Sequence, residues 1–346
     1  MAQDVLSRLG VYVLPGRVPD PRPALGQARV AEHLGLGSVW IGERYGTKDV
    51  SALAGAISQT APSIAIGTAI SHFLVRHPVV LASTAMTLQA LTEGKFTFGF
   101  GRSAGGIWSA LGLPEMRNDV LVDSVDIFKR LCRGEKVSYD GPAGSFPRMR
   151  LGDLPDVAPP KALLAAIGPK SLAIAGAHFD GAILHPFLTS GGVAASVERV
   201  RNAAADAGRN AEEVVVRATV VIAPDLPPDE EVAVVGGRAV TYFQIPGFGE
   251  TLASVNGWDL DALEVLRSHP LMKDLRGSAD AVFTRAELSE VSETLPAEWL
   301  TSGAAVGGAA ECARRLREYL EAGADELILH GSTADLLGAT IAHLRV

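Results

Sequence analysis

The sequence predicts an α/β fold of the (β/α)8 TIM-barrel type, a single domain over residues 1–346 with insertions at about 135–160 and 225–303. Three observations predict it. Short apolar runs rich in β-branched and aromatic residues alternate with longer amphipathic segments, the pattern of βα units around a parallel sheet. Eight such runs occur, each followed by at least one helical segment, and eight units in 346 residues suit a closed barrel. An open doubly wound sheet would be supported by a glycine-rich nucleotide turn after the first strand; Pro15-Gly16-Arg17-Val18-Pro19 stands there instead.

The first strand is Gly10–Leu14, and the helix behind it carries Leu25, Ala28, Ala31 and Leu34 before Gly35–Gly37 stop it. Strand two, Ser38–Gly42, runs into Glu43-Arg44-Tyr45 and a helix over 49–60. Strand three, Ser63–Ile70, leads to Ser71-His72, and a long helix from Pro78 ends at Leu91. Strand four, Phe96–Phe100, ends in Gly101-Arg102-Ser103, and Leu121, Val125, Phe128 and Leu131 mark its helix. Residues 137–160 read as a hairpin or irregular insertion, because glycine, proline and isolated β-formers replace the periodic pattern. Strands five to seven are Ala162–Ile167, Gly181–His185 and Val214–Ile222, with helices over 169–177 and 193–207 between them. The region 225–303 is the least regular: 229–243 and 260–269 look helical, but Pro246-Gly247 and Asn256-Gly257 interrupt it. Glu326–His330 is the eighth strand.

Composition narrows the function classes. A hydrophobic share of 47% supports a large core, and a formal charge of -8 argues against sequence-independent nucleic-acid binding, which needs basic surface. A small basic pocket for an anion stays open. The start, Met1-Ala2-Gln3-Asp4, carries no signal-peptide pattern, and the apolar runs are too short to span a membrane. Cys132 and Cys312 sit at apolar helical positions and read as buried reduced thiols, so a cytoplasmic protein is expected. No His-Glu-x-x-His or Cys-x-x-Cys spacing suggests a metal, and no Gly-x-Ser-x-Gly elbow suggests a serine hydrolase.

In such a barrel the chemistry lies in the loops after the C-terminal strand ends. The polar residues there are Glu43, Arg44, Ser71, His72, Arg102, Ser103, Lys170, Ser171, His185 and His330. Two glycine turns stand out. Gly101-Arg102-Ser103 lets backbone approach a ligand and adds a cation and a hydroxyl. Gly168-Pro169-Lys170-Ser171 opens a helix, where free N–H groups and the helix dipole favour an anion, with Lys170 adding charge. Two such turns on neighbouring strands point to a phosphate site.

Four ordered blocks resemble the luciferase-like monooxygenase superfamily, in its F420-dependent oxidoreductase branch. They are 34–44 (LGLGSVWIGER), 76–80 with 88–102 (LQALTEGKFTFGFGR), 168–176 followed by 179–184, and 316–327. The resemblance implies a barrel that holds coenzyme F420, or alternatively FMN, over the strand ends. It implies a non-prolyl cis peptide after strand three, which maps to Ala69-Ile70 with Ser71 following. It places the phosphate contacts at Gly101, Arg102 and Ser103 and at Gly168, Pro169, Lys170 and Ser171. It also implies a homodimer acting on a small organic substrate.

One departure matters. Several F420-dependent relatives carry an Asp-His pair after strand two, and this chain has Glu43-Arg44. Arginine stays protonated and cannot shuttle a proton at neutral pH. Arg44 is therefore a candidate for binding an anionic substrate or pairing with Glu43, and His72 or His185 becomes the candidate proton donor. The expected activity is hydride transfer between F420 and an organic substrate. An FMN-dependent monooxygenase and a non-catalytic flavin-binding protein are the alternatives. Tyr242, Phe243, Phe248 and Trp258 are expected to form an apolar substrate wall.

Overall fold

The computed structural model describes residues 2–102, 108 and 111–345. The first four strands are β1 (Leu9–Val13), β2 (Ser38–Ile41), β3 (Ala65–Thr68) and β4 (Phe96–Phe100). An antiparallel hairpin follows, β5 (Val137–Gly141) with β6 (Gly144–Met149). Then come β7 (Lys161–Ala166), β8 (Gly181–Leu184), β9 (Val215–Pro224), β10 (Ala304–Gly307) and β11 (Glu326–Gly331). Eight of these close a parallel ring in the order β1-β2-β3-β4-β7-β8-β9-β11, with β11 pairing back to β1. All eight expected barrel strands are present, in the expected sequence.

The period of two along each strand sends alternate side chains into the barrel. Tyr12, Trp40, Ala69, Leu163, Ile183 and Ile328 meet there as a compact inner cluster. Trp40 is the largest of them, and its neighbours make room for it: a Cβ at Gly67 would stand 2.3 Å from its ring. Below this cluster, Arg217 of β9 lies over the Trp40 ring at 4.9 Å and donates twice to Glu326 of β11, at 2.8 and 2.9 Å. That end of the barrel is sealed by a matched pair of charges.

Of the stretch 137–160, read as a hairpin or irregular insertion, residues 137–149 form the hairpin and 150–160 carry no helix or strand. The 225–303 region is more helical than its glycine and proline breaks suggest, with helices Pro228–Phe243, Phe248–Asn256, Asp261–Ser268, Arg285–Ser292 and Ala297–Ser302. Gly247 and Gly257, at φ of 76° and 71°, stand at the ends of one of these helices rather than dissolving it. β10 has no counterpart in the sequence reading. Its Ala304-Ala305-Val306-Gly307 run is short and carries small side chains; it becomes a strand by pairing with β9 at residues 221–224, beyond the part of β9 that pairs β8. No helix among the described residues is long and apolar enough to cross a membrane.

Candidate active site at the barrel mouth

The C-terminal strand ends bring most of the expected residues to one rim, in distinct roles. At the end of β3 the Ala69–Ile70 peptide is cis, at the position the family resemblance implied. The Tyr12 hydroxyl donates to the Ala69 carbonyl at 2.5 Å and ties β1 to this segment. Gly101 lies beside it: a Cβ there would come within 2.1 Å of Ile70 Cδ1, so only glycine lets that side chain keep its place.

Behind this segment is a dense polar support. Ser71 Oγ donates to Glu43 at 2.5 Å, and Arg76 donates to both Glu43 oxygens at 3.0 and 2.5 Å. The Glu43 side chain is fully buried and Ser71 wholly so, which makes them holders of the β2 and β3 loops. A carboxylate whose oxygens are engaged in this way fixes the two loops relative to one another. Arg44 does not pair with Glu43; it turns to Asp280, at 3.1 Å.

On the β4–β7 side, Arg102 donates to the Asn118 side chain, and Ser103 lies outside the described residues. Gly168 caps the Pro169–His178 helix without a side-chain cap of its own. The Ser171 hydroxyl is committed to that turn, donating to the Gly168 carbonyl at 2.9 Å and accepting from the Ile167 N–H at 3.3 Å. Lys170 is exposed, and its side chain makes no ion pair among the described residues. First-turn N–H groups and an uncommitted ammonium suit an anion. Arg102 and Lys170, in the loops after the neighbouring strands β4 and β7, are the cations that could meet such an anion.

Three histidines line the strand ends, and burial depresses the basicity of each. His72 Nδ1 lies 2.5 Å from the Tyr45 hydroxyl, its ring edge-on to Trp108, and burial lowers its pKa to about 4. His185 Nδ1 stands 2.8 Å from the Pro186 carbonyl, which can only accept, so Nδ1 carries the hydrogen and Nε2 is the acceptor. Burial lowers its pKa to about 4 as well. His330, on β11, is 7% exposed and tilted against Tyr12 at 4.5 Å, and its Nδ1 has no hydrogen-bond partner among the described residues. Burial first, and then the charges of Arg238, Lys48 and Arg44, hold His330 well below the ordinary imidazole value.

The expected apolar wall divides in two. Tyr242 and Phe248 pack edge-on against His185 at 4.4 and 4.8 Å and belong to the mouth. Phe243 and Trp258 turn away to Trp299, at 5.0 and 4.8 Å, and serve as packing for the insertion.

Sequence reasoning passed over Tyr12, Arg17, Lys48, Arg238 and Asp280. Lys48 is 3% exposed and donates to the Leu14 and Gly16 carbonyls at 2.9 and 2.7 Å, strapping the β2 loop to the β1 loop. Arg17 reaches Asp280 at 3.3 Å. Arg238 lies over Tyr242 at 5.9 Å, and a Cβ at Gly16 would stand 3.4 Å from its Nη2. One signal was available: Arg238 is the single charge in the otherwise apolar stretch Val232–Val240.

A closed parallel barrel whose polar rim carries anion-favouring turns and buried histidines defines an enzyme site of the TIM-barrel kind. The sequence model of the luciferase-like monooxygenase family matches residues 5–326, and the chain belongs to that family. It is an oxidoreductase by that membership. The chain is 26% identical over 240 residues to a 5,10-methylenetetrahydromethanopterin reductase of Methanolobus tindarius, covering 67% of this chain and 70% of the relative. It is 26% identical over 334 residues to an F420-dependent glucose-6-phosphate dehydrogenase of Beutenbergia cavernae, covering 91% and 89%. The fold matches that of the coenzyme F420-dependent tetrahydromethanopterin reductase from Methanopyrus kandleri, with a TM-score of 0.77 at 17% identity and 97% of each chain covered.

Proposed function

We propose that this chain is an F420-dependent oxidoreductase that transfers a hydride between the deazaflavin and a small organic substrate. The observation that carries the reading is a juxtaposition at the mouth: anion-favouring turns at Arg102 and Gly168–Ser171 stand beside a group lined by His185, Tyr242 and Phe248 on the next strand end. Similarity to relatives named as F420-dependent supports the choice of cofactor.

When bound, the deazaflavin supplies the hydride donor or acceptor. The protein's part is placement. Lys170, Arg102 and the first-turn N–H groups after Gly168 would hold the anionic tail, and Ile70 with Gly101 would offer a close surface to the ring. Glu43, Ser71 and Arg76 hold that surface in register from behind. Tyr242 and Phe248 keep water from the reacting side. His185 is neutral at physiological pH with Nε2 as its acceptor, so it takes a proton from a substrate hydroxyl rather than giving one from imidazolium.

Titration of the purified apoprotein with F420 and with FMN, side by side and with Lys170→Ala alongside, tests the reading. Tighter binding of F420 that weakens in the variant is the expected result. A preference for FMN overturns it in favour of a monooxygenase, and binding of neither removes the redox assignment.

A further inference from the structure

We propose that Arg17, Arg44, Lys48 and Arg238, gathered around Asp280, form the receptor for an anionic group, carboxylate or phosphate, on the organic substrate. The inference rests on the redox reading above and names the class of substrate that reading leaves open.

The charge count at this place is the first reason. Arg17 and Arg44 share Asp280 at 3.3 and 3.1 Å, Lys48 is held by two carbonyls, and the Arg238 guanidinium stands close to Gly16, whose carbonyl Lys48 also uses. Two cations thus contact Asp280 and two more stand near it without a carboxylate partner among the described residues, in a chain whose formal charge is -8. The charges are also partly withdrawn from water: Lys48 is buried and Arg44 is one-third exposed. Partly buried charge without a counterion is costly, and a bound anion removes the cost. Burial first, and then the Arg44 and Arg238 charges, lower Lys48 from 10.5 to about 8.

Position is the second reason. In the ring order, β4 and β7 stand diametrically across from β11 and β1. The phosphate turns follow β4 and β7, whereas Arg17 follows β1, Arg44 and Lys48 follow β2, and Arg238 sits on the helix after β9. A cofactor whose tail lies at Arg102 and Lys170 leaves this cluster, two or more strands away around the ring, to another anion.

The third reason is independent of charge. His330 reaches the same sector from β11, nine-tenths buried, and its Nδ1 lacks a partner among the described residues. A buried polar atom left without a partner is costly unless a ligand or water completes it. The anionic substrate, anchored by the arginines, brings its own polar groups to that atom.

The test uses phosphate-free buffer and three probes that share a phenyl ring: phenyl phosphate, benzoate and neutral benzyl alcohol. Each is titrated calorimetrically into the protein saturated with F420. At least one anion binds while benzyl alcohol does not, and the better anion identifies the group. Arg44→Gln and Arg238→Gln each weaken that anion about tenfold, the loss expected for one charge-assisted contact, while F420 affinity by fluorescence titration moves less than about twofold. Asp280→Asn removes the competing carboxylate and tightens the anion several-fold, a gain that misfolding cannot produce. Indifference to charge among the probes, or a loss of F420 affinity equal to the loss of anion affinity, overturns the proposal; the second result gives the cluster to the cofactor tail. If F420 does not bind at all, the redox reading falls, and the same anion titration of the apoprotein still decides the cluster.

Discussion

The two ends of the barrel treat buried charge in opposite ways. At the closed end one arginine, Arg217, meets one carboxylate, Glu326, in a two-bond contact beneath the Trp40 ring. At the mouth Arg17 and Arg44 share Asp280, while Lys48 and Arg238 stand nearby with no carboxylate partner among the described residues. A charge neutralised inside the protein is architecture, since removing either partner exposes the other to a poor solvent. A charge left over at the strand ends is an opening for something outside the chain. Both arrangements use the same residue types; only the balance of partners separates them.

That contrast can be broken most directly at the closed end. Glu326→Gln is expected to cost about 2–3 kcal/mol, below the full penalty for a buried pair because Glu326 is 28% exposed on its side chain. Chemical denaturation measures it. Arg44→Gln at the mouth is expected to change stability by less than about 0.5 kcal/mol, because relief among the remaining cations offsets the lost Asp280 contact. Equal losses at the two ends would erase the distinction.

Glu43→Gln comes next, at about 1–2 kcal/mol, because Arg76 keeps Asp49 at 2.7 Å as a second partner. The same substitution should loosen F420 binding through the displaced Ser71 and Ile70, which titration would detect. A loss of stability with cofactor affinity untouched would mean that Glu43 supports the loop and not the ring surface.

Smaller still is Lys170→Ala, expected to weaken F420 by about 1 kcal/mol with the denaturation midpoint unchanged, since its side chain is exposed and makes no internal ion pair.

The pH dependence separates the histidines from the lysine. His72 and His185 have folded-state pKa values lowered from 6.5 to about 4, so the unfolded chain binds more protons between those values. Stability therefore falls as pH drops from 6.5 towards 4, and His185→Phe should flatten that slope. Lys48 is lowered from 10.5 to about 8 and works at the other limit. The unfolded chain again holds more protons between these values, so stability rises with pH from 8 towards 10.5 while anion binding at the mouth weakens as Lys48 deprotonates. A bound anion raises the folded-state Lys48 pKa and so narrows that window from below.

The sequence by itself determined the eight βα units, because strand and helix periodicity are local properties of side-chain spacing. Their number in this length selected a closed barrel. It also located the two glycine turns, Gly101-Arg102 and Gly168–Ser171, since a need for close backbone approach or a free helix start is written in residue type. The tertiary structure decided the partners. Glu43 and Arg44 are neighbours in sequence, yet Glu43 turns inward to Ser71 and Arg76 while Arg44 crosses 236 positions to Asp280. Tyr12, Arg17, Lys48, Arg238 and His330 converge because barrel closure sets β1 and β2 beside β11 and β9, and no local pattern carries that information. Charge balance depends on distance in space, so the excess of cations at the mouth became visible only once the ring was closed.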